Sequence, residues 1–299
     1  MKILLFGANG QVGQALARVL EPCHQLRALT RQHVDLADHQ AIIAAIQAYQ
    51  PDCIINAAAY TSVDAAQSHV DLAFAINNEA VRIMAKQAKH CSALLVHYST
   101  DYVFNGKQQR PYQEEDPCDP INIYGQSKLA GEKAIAAALC NHLILRVSWV
   151  IAAHGNNFAK TMLRLAQQRE QLTVIHDQFG VPTTADFIAS ITRKAIETQQ
   201  DKPWPSGIYN LVPQGRTNWY EMAQLLLDCA AQCDFPLQVT RENLLPIGAD
   251  QYPAVAPRPQ YSLLDTRKLR AQLEHDLPFW QQPYVKTVKE IIHAMKRQS

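Results

Sequence analysis

The chain opens on an apolar run, Lys2-Ile3-Leu4-Leu5-Phe6, that breaks at Gly7-Ala8-Asn9-Gly10-Gln11-Val12-Gly13. Apolar residues then return at helical spacing over 14–20. A short apolar run reads as a buried strand, and a 3.6-residue period reads as an amphipathic helix. The same alternation continues. Strands are predicted over 24–29, 53–56, 93–98 and 142–146, and helices over 40–49, 72–89 and 124–139, with Pro51 ending the second helix. A long polar stretch, 105–122, reads as loop. Strands alternating with helices predict a parallel sheet covered on both faces, with ligands at the carboxyl ends of the strands. Beyond Trp149 the pattern is less regular. It predicts helices over 157–168, 186–198, 219–229 and 285–297, a short strand over 172–175, a turn over 203–207, and extended loop across the proline-rich 246–259.

The glycines Gly7, Gly10 and Gly13 follow a strand and open a helix. They let the chain turn tightly and let a pyrophosphate approach the backbone, with the free N–H groups of the helix start beside it. The spacing is G-x-x-G-x-x-G, not the commoner G-x-G-x-x-G. Composition adds exclusions. The 299 residues are 47% hydrophobic and 18% charged with a net charge of +1, which gives no basic surface for nucleic acid. No apolar run approaches membrane-spanning length. The first apolar run is too short for a secretion signal, so a cytoplasmic protein is expected. The seven cysteines form no Cys-x-x-Cys pair and no set at zinc spacing, so they read as reduced thiols. His97, inside an apolar run, reads as a core residue or one supporting a site.

Tyr124-Gly125-Gln126-Ser127-Lys128 carries the strongest chemistry. Tyr and Lys four apart share one helix face. An ammonium beside a phenol draws its pKa down from about 10 toward neutrality, where proton transfer is efficient. Thr100, at the carboxyl end of a predicted strand, offers a hydroxyl to hold a carbonyl oxygen beside that phenol.

Glycine turn, strand-end Thr and Tyr-x-x-x-Lys in this order resemble the extended short-chain dehydrogenase/reductase family over nearly the whole chain. Asn56-Ala57-Ala58-Ala59 and Asn77 match further motifs of that family. A narrower resemblance, to the dTDP-4-dehydrorhamnose reductases, rests on several stretches. They are Ser99-Thr100-Asp101-Tyr102-Val103-Phe104, Lys128-Leu129-Ala130-Gly131-Glu132, Arg146-Val147-Ser148-Trp149, Gly155-Asn156-Asn157-Phe158, Asp177-Gln178-Phe179-Gly180-Val181-Pro182-Thr183 and Arg258-Pro259.

The resemblance implies an α/β fold. Residues 1–150 would form a Rossmann-type doubly wound sheet, to which part of 181–210 returns. Residues 151–299 would form a smaller, interleaved α/β domain for a sugar nucleotide. It implies reduction of the 4-keto group of dTDP-6-deoxy-L-lyxo-4-hexulose to dTDP-L-rhamnose. Tyr124 would protonate the alkoxide, Lys128 would hold the nicotinamide ribose and depress the Tyr124 pKa, and Thr100 would polarise the carbonyl. Gly7, Gly10, Gln11, Val12, Gly13, Thr30, Arg31, Asp35, Leu36, Ala57, Ala59, Tyr60, Thr61 and Tyr98 would cradle the coenzyme with Tyr124 and Lys128. Thr100, Asp101, Tyr102, Val63, Asp64, Trp149 and Arg258 would line the substrate side, Trp149 being equally readable as a core aromatic.

Related sugar-nucleotide dehydratases carry Asp-Glu after the Thr, whereas Asp101 is followed here by Tyr102. GDP-fucose-forming relatives add a strand-end Cys that Ser99-Thr100 lacks. At the second strand end, Ala28-Leu29-Thr30-Arg31 has no carboxylate for a ribose 2′-OH, which favours NADPH over NADH. Some relatives bind Mg²⁺ through glutamates at a dimer contact. Ala15 stands at that point and Asp186 is the only survivor at a second one, so no stable metal site is expected and the chain is read as a monomer or homodimer. The alternative from another class is a non-catalytic dinucleotide-binding subunit, resembling the regulatory subunit of methionine adenosyltransferase. Another keto-sugar nucleotide is the alternative substrate.

Overall fold

The computed structural model describes residues 1–198 and 201–297, so the parts of the expected second domain at 199–200 and 298–299 lie outside the described residues. Its centre is a six-stranded sheet of β1 (Lys2–Phe6), β2 (Gln25–Leu29), β3 (Cys53–Asn56), β4 (Leu94–Thr100), β5 (His142–Val147) and β6 (Gly207–Asn210). The strands run parallel in the order β6-β5-β4-β3-β1-β2. The chain reverses its direction of travel between β1 and β3, and a crevice opens there at the strand ends.

Alternate residues of β1 explain why both faces are covered. Ile3 and Leu5 enter one core with Ala15, Leu16 and Leu20 of α1 (Gln11–Leu20). Leu4 and Phe6 enter the other with Ile42 and Ile46 of α2 (His39–Tyr49) and Ala80, Met84 and Ala88 of α3 (Ala80–His90). α4 (Ile123–Ala138) closes the second face through Ile135. A third core joins Phe104, and Tyr112 of the long polar loop, to α5 (Phe158–Gln168), α6 (Trp219–Gln232) and α7 (Gln281–Lys296).

Two sequence expectations are corrected. The helix expected over 72–89 is interrupted: Val70–Phe74 passes through a π-helical turn, Ala75–Glu79, before α3. The proline-rich stretch 246–259 is not all loop. Pro246 lies in the strand Leu244–Ile247, which pairs in parallel with Leu172–Ile175, and a 3₁₀ turn follows at Ala249–Gln251. A two-stranded ribbon has free edges, where a missing N–H is tolerated.

Candidate active site

A cleft of about 790 Å³ lies at the carboxyl ends of β1, β3, β4 and β5. Its coenzyme-like end is the glycine turn. Gly7 has φ +80°, and a Cβ there would come within 2.6 Å of the Ala58 nitrogen. A Cβ on Gly13 would run into the Gly7 carbonyl, so the first turn of α1 sits directly on the loop. Gly10 caps α1 without a side-chain hydrogen bond, leaving the helix N-terminus open to an anion. These features fit a dinucleotide pyrophosphate.

Most of the expected residues come together. Gly7, Gly10, Gln11, Val12, Arg31, Asp35, Leu36, Ala57, Ala59, Tyr60, Thr61, Val63, Tyr98, Thr100, Asp101, Tyr102, Tyr124, Lys128 and Trp149 all line the cleft. Gly13 lies beneath the turn, and Thr30 is occupied by His33, its hydroxyl 2.9 Å from Nδ1. Arg31 is exposed and paired with Asp35 at 3.2 Å. Asp64 and Arg258 are not in the cleft lining; they form a salt bridge of 2.7 Å, and the Ala256 N–H donates to Asp64 at 2.9 Å. The Arg258 guanidinium draws the Asp64 carboxyl below its ordinary range. Arg258 also reaches the Tyr102 phenol, although burial dominates there and pushes that phenol upward.

The π-helical turn has a purpose in this geometry. It carries Asn77, whose Oδ1 accepts the Tyr60 N–H at 2.9 Å while Nδ2 donates to the Tyr60 carbonyl and to Ser127 Oγ, both at 3.0 Å. One buried amide thus ties the 57–61 loop to the helix that carries Tyr124 and Lys128. Gly131 allows α4 to meet the Asn77 carbonyl, which a Cβ would strike.

At the cleft floor α4 starts at Asn122, whose side chain accepts the Gly125 N–H at 2.8 Å. Thr100 Oγ1 donates to Asp101 Oδ1 at 3.0 Å, accepts the Tyr102 N–H at 3.1 Å, and hydrogen-bonds the Tyr124 phenol. Lys128 is buried; its Nζ donates to the Tyr98 carbonyl at 2.6 Å and lies 3.1 Å from His97 Nε2.

The expected depression of the Tyr124 pKa by Lys128 is not what this geometry gives. Burial pushes the phenol up to about 12, with the Thr100 hydrogen bond opposing and Asp101 adding to the rise. Burial also lowers the Lys128 ammonium to about 8, against the pull of Glu132. The lysine is turned to β4 rather than to the phenol. The Asp101 carboxyl is raised by burial to about 7, against the opposing pull of hydrogen bonds from the Ser262 and Thr100 hydroxyls.

Trp149 adopts φ +44°, a left-handed conformation that costs a non-glycine residue about 1–3 kcal/mol. Its ring stacks on Trp219 at 3.8 Å between centroids, and Gly180 leaves the space that ring needs. Trp219 itself lines the cleft and was not foreseen; it stands far along the chain, at the start of a helix whose period explains its apolar character. Asn9, Val34, Ala58, Ser62, Ile76, Ser99, Val147 and Val150 also line the cleft. Of these, Asn9, inside the glycine turn, carried a visible signal. Among the described residues no group of three or more His, Cys, Asp or Glu is placed to hold a metal ion. Asp186 is paired with Arg18, and Ala15 is buried in the core. No helix among the described residues is long and apolar enough to cross a membrane.

The model of the RmlD substrate binding domain family matches residues 1–293. The chain is 45% identical over 285 residues to a dTDP-4-dehydrorhamnose reductase of Escherichia coli (strain K12), covering 94% of this chain and 95% of that one. It is 41% identical to the reductase of that name from Burkholderia thailandensis, covering 98% and 99%. A crystal structure of dTDP-4-dehydrorhamnose reductase from Bacillus anthracis in complex with NADP superposes with a TM-score of 0.88. It is 33% identical and covers 96% of this chain and 98% of that one.

Proposed function

The chain belongs to the RmlD substrate binding domain family, and on that footing we propose that it reduces dTDP-4-dehydro-L-rhamnose to dTDP-L-rhamnose with NAD(P)H, the last step of dTDP-rhamnose synthesis. One observation carries the reading: in a chain 45% identical to such a reductase, Thr100, Tyr124 and Lys128 line the same cleft as the glycine turn. The bound reduced nicotinamide supplies a hydride to the sugar carbonyl carbon. Gly7, Gly10 and Gly13 with the open start of α1 would hold its pyrophosphate, the 57–59 strand end its adenine side, and Lys128 its nicotinamide ribose.

The chain's own residues supply the proton and the electrostatics. Held up at about 12, the Tyr124 phenol stays protonated at neutral pH, the form required to donate to the forming alkoxide. The Thr100 hydroxyl polarises the carbonyl oxygen once it turns from Asp101. Asp101, titrating at about 7, releases that hydroxyl most readily when it is itself protonated. Stabilising the developing oxyanion is commonly the largest catalytic contribution. Val63, Asp101, Tyr102 and Trp149 would shape the sugar side, and Arg258, latched by Asp64, would reach the substrate from beside Tyr102.

NADPH is the preferred coenzyme: the β2 end offers Arg31 and no carboxylate other than Asp35, which Arg31 already occupies. All seven cysteines are free, which supports a reducing cytoplasm.

The test is NADPH and NADH oxidation with dTDP-4-keto-6-deoxy-L-sugar made in situ, the wild type beside Tyr124→Phe and Arg31→Ala. Turnover lost in Tyr124→Phe, and NADPH preference weakened in Arg31→Ala, are the expected results. NADPH binding without turnover would instead leave a dinucleotide-binding subunit or another keto-sugar nucleotide as substrate.

A further inference from the structure

His97 has no part in the reaction just described, yet it is buried in β4 against the lysine. Its Nδ1 lies 3.2 Å from Asn56 Nδ2. Asn56 Oδ1 accepts the Ala58 N–H at 3.1 Å. That bond fixes the amide: turned over, it would set its NH₂ against the Ala58 N–H. Asn56 therefore offers His97 a donor, Nδ1 is the acceptor, and the ring proton of a neutral imidazole sits on Nε2. The Nε2–H then points at Lys128 Nζ, 3.1 Å away, which already donates to the Tyr98 carbonyl. An ammonium has no lone pair to receive it; a neutral amine does. This order of hydrogen bonds belongs to Lys128 without its extra proton.

We propose that the charge of Lys128, the tautomer of His97 and the amide orientation of Asn56 form a single switch. When Lys128 takes up a proton, its ammonium must donate to Nε2. The ring proton then moves to Nδ1, the Asn56 amide turns so that Oδ1 accepts it, and the Ala58 N–H is released. One proton enters, at Nζ; His97 holds one proton before and after and is never charged. Ala58 belongs to the cleft-lining loop on which Gly7 rests, so the charge on the lysine is felt by the loop that faces the coenzyme end. His97 and Asn56 are positioning residues.

The surroundings leave no rival base. Glu132, one turn along α4, has both oxygens engaged by Arg146, at 3.0 and 2.7 Å. The Tyr98 hydroxyl is 2.7 Å from Thr192 Oγ1. Burial holds the Cys53 thiol on β3 and the Tyr98 and Tyr124 phenols protonated. Burial and Lys128 also push His97 well below its ordinary range, which agrees with a ring that remains neutral.

The inference concerns the lysine of the reductase reading, but its test needs no turnover. Wild-type protein labelled with ¹⁵N-histidine is titrated from about pH 6.5 to about pH 9.5, around the lysine's shifted range, and the two His97 nitrogens are followed. The expected result is a proton on Nε2 at the alkaline end, a proton on Nδ1 at the other, and no imidazolium between. In Asn56→Asp the carboxylate accepts the Nδ1–H throughout, so the tautomer step disappears. The lysine midpoint then rises by about one unit, a tenfold change in its proton equilibrium. A wild-type ring that keeps one tautomer, or that becomes charged, overturns the proposal and leaves the reductase reading intact. A step that persists in Asn56→Asp removes Asn56 from the switch. Should that variant fail to fold, the wild-type titration decides alone.

Discussion

Glu132→Gln removes one charge from a pair buried between α4 and β5. Arg146 Nε and Nη2 donate to the two carboxylate oxygens at 3.0 and 2.7 Å, and both side chains are at most 3% exposed. Arg146 also donates to the Glu114 carbonyl at 3.2 Å, lies 3.3 Å from Cys118 Sγ, and stacks over Phe104 at 5.0 Å. The guanidinium thus staples the long polar loop to the sheet. Breaking a buried pair by removing one partner costs about 3–5 kcal/mol. The glutamine carbonyl still accepts one hydrogen bond, which places this variant near ~3 kcal/mol. With an unfolding entropy of about 2.1 cal/mol/K per residue, that corresponds to a melting temperature lowered by about 5 °C. Thermal scans and urea midpoints read it directly. The double variant Glu132→Leu with Arg146→Met removes both charges and should recover much of the loss, because a well-packed apolar pair often matches a buried ionic one. The same substitution takes a carboxylate from the neighbourhood of Lys128, so the lysine should titrate below its present value of about 8. A single variant that melts within about 2 °C of the wild type, or a double variant worse than either single, would refute this account of the pair.

Thr100→Val should lower kcat by about 10²–10³-fold, as loss of an oxyanion-type donor does, and, by leaving the Tyr102 N–H without its acceptor, cost about 1–2 kcal/mol of stability; unchanged turnover would exclude the hydroxyl from the reaction. The Asp101 carboxyl is raised by burial from 3.8 to about 7. Its contribution to stability is full below about pH 4 and is lost as pH rises through about 7. Going from about pH 5.5 to about pH 8.5 should therefore cost the wild type more stability than Asp101→Asn, and equal slopes would count against a buried, protonatable carboxyl. Gly13→Ala sets a Cβ against the Gly7 carbonyl. It should weaken NADPH binding at least about tenfold in a fluorescence titration, and native affinity would show that the turn tolerates a side chain.

The parts of the site that were legible from sequence are those whose chemistry is local. Gly7, Gly10 and Gly13 declare a turn by their spacing, and Tyr124 and Lys128 share a face because four residues make about one helical turn. The strand that delivers Thr100 was visible as an apolar run. What stayed hidden is tertiary. The π-helical turn that aims Asn77 has no signature in an otherwise even helical period. Lys128 turns to His97 and the Tyr98 carbonyl because β4 lies under α4, a placement that spacing along the chain does not contain. Trp219 stacks on Trp149 at the cleft, and the left-handed backbone of Trp149 runs against the preference of its residue type. Pro246 was read from composition, and the free edge of a two-stranded ribbon overrode that reading.

The sixth strand has a consequence for how the chain is made. β6 pairs with β5 through Gly207–Leu143 to Asn210–Arg146, so the border strand of the first five is completed by a segment about 60 residues downstream. At translation rates of ~5–20 residues per second, that border stays open for roughly 3–12 s on the ribosome. An open strand border is an adhesive surface for neighbouring nascent chains. Synthesis that stalls between residues 150 and 207 should therefore yield aggregates rather than a soluble half-protein, and a separately supplied C-terminal fragment should rescue it by docking along β5.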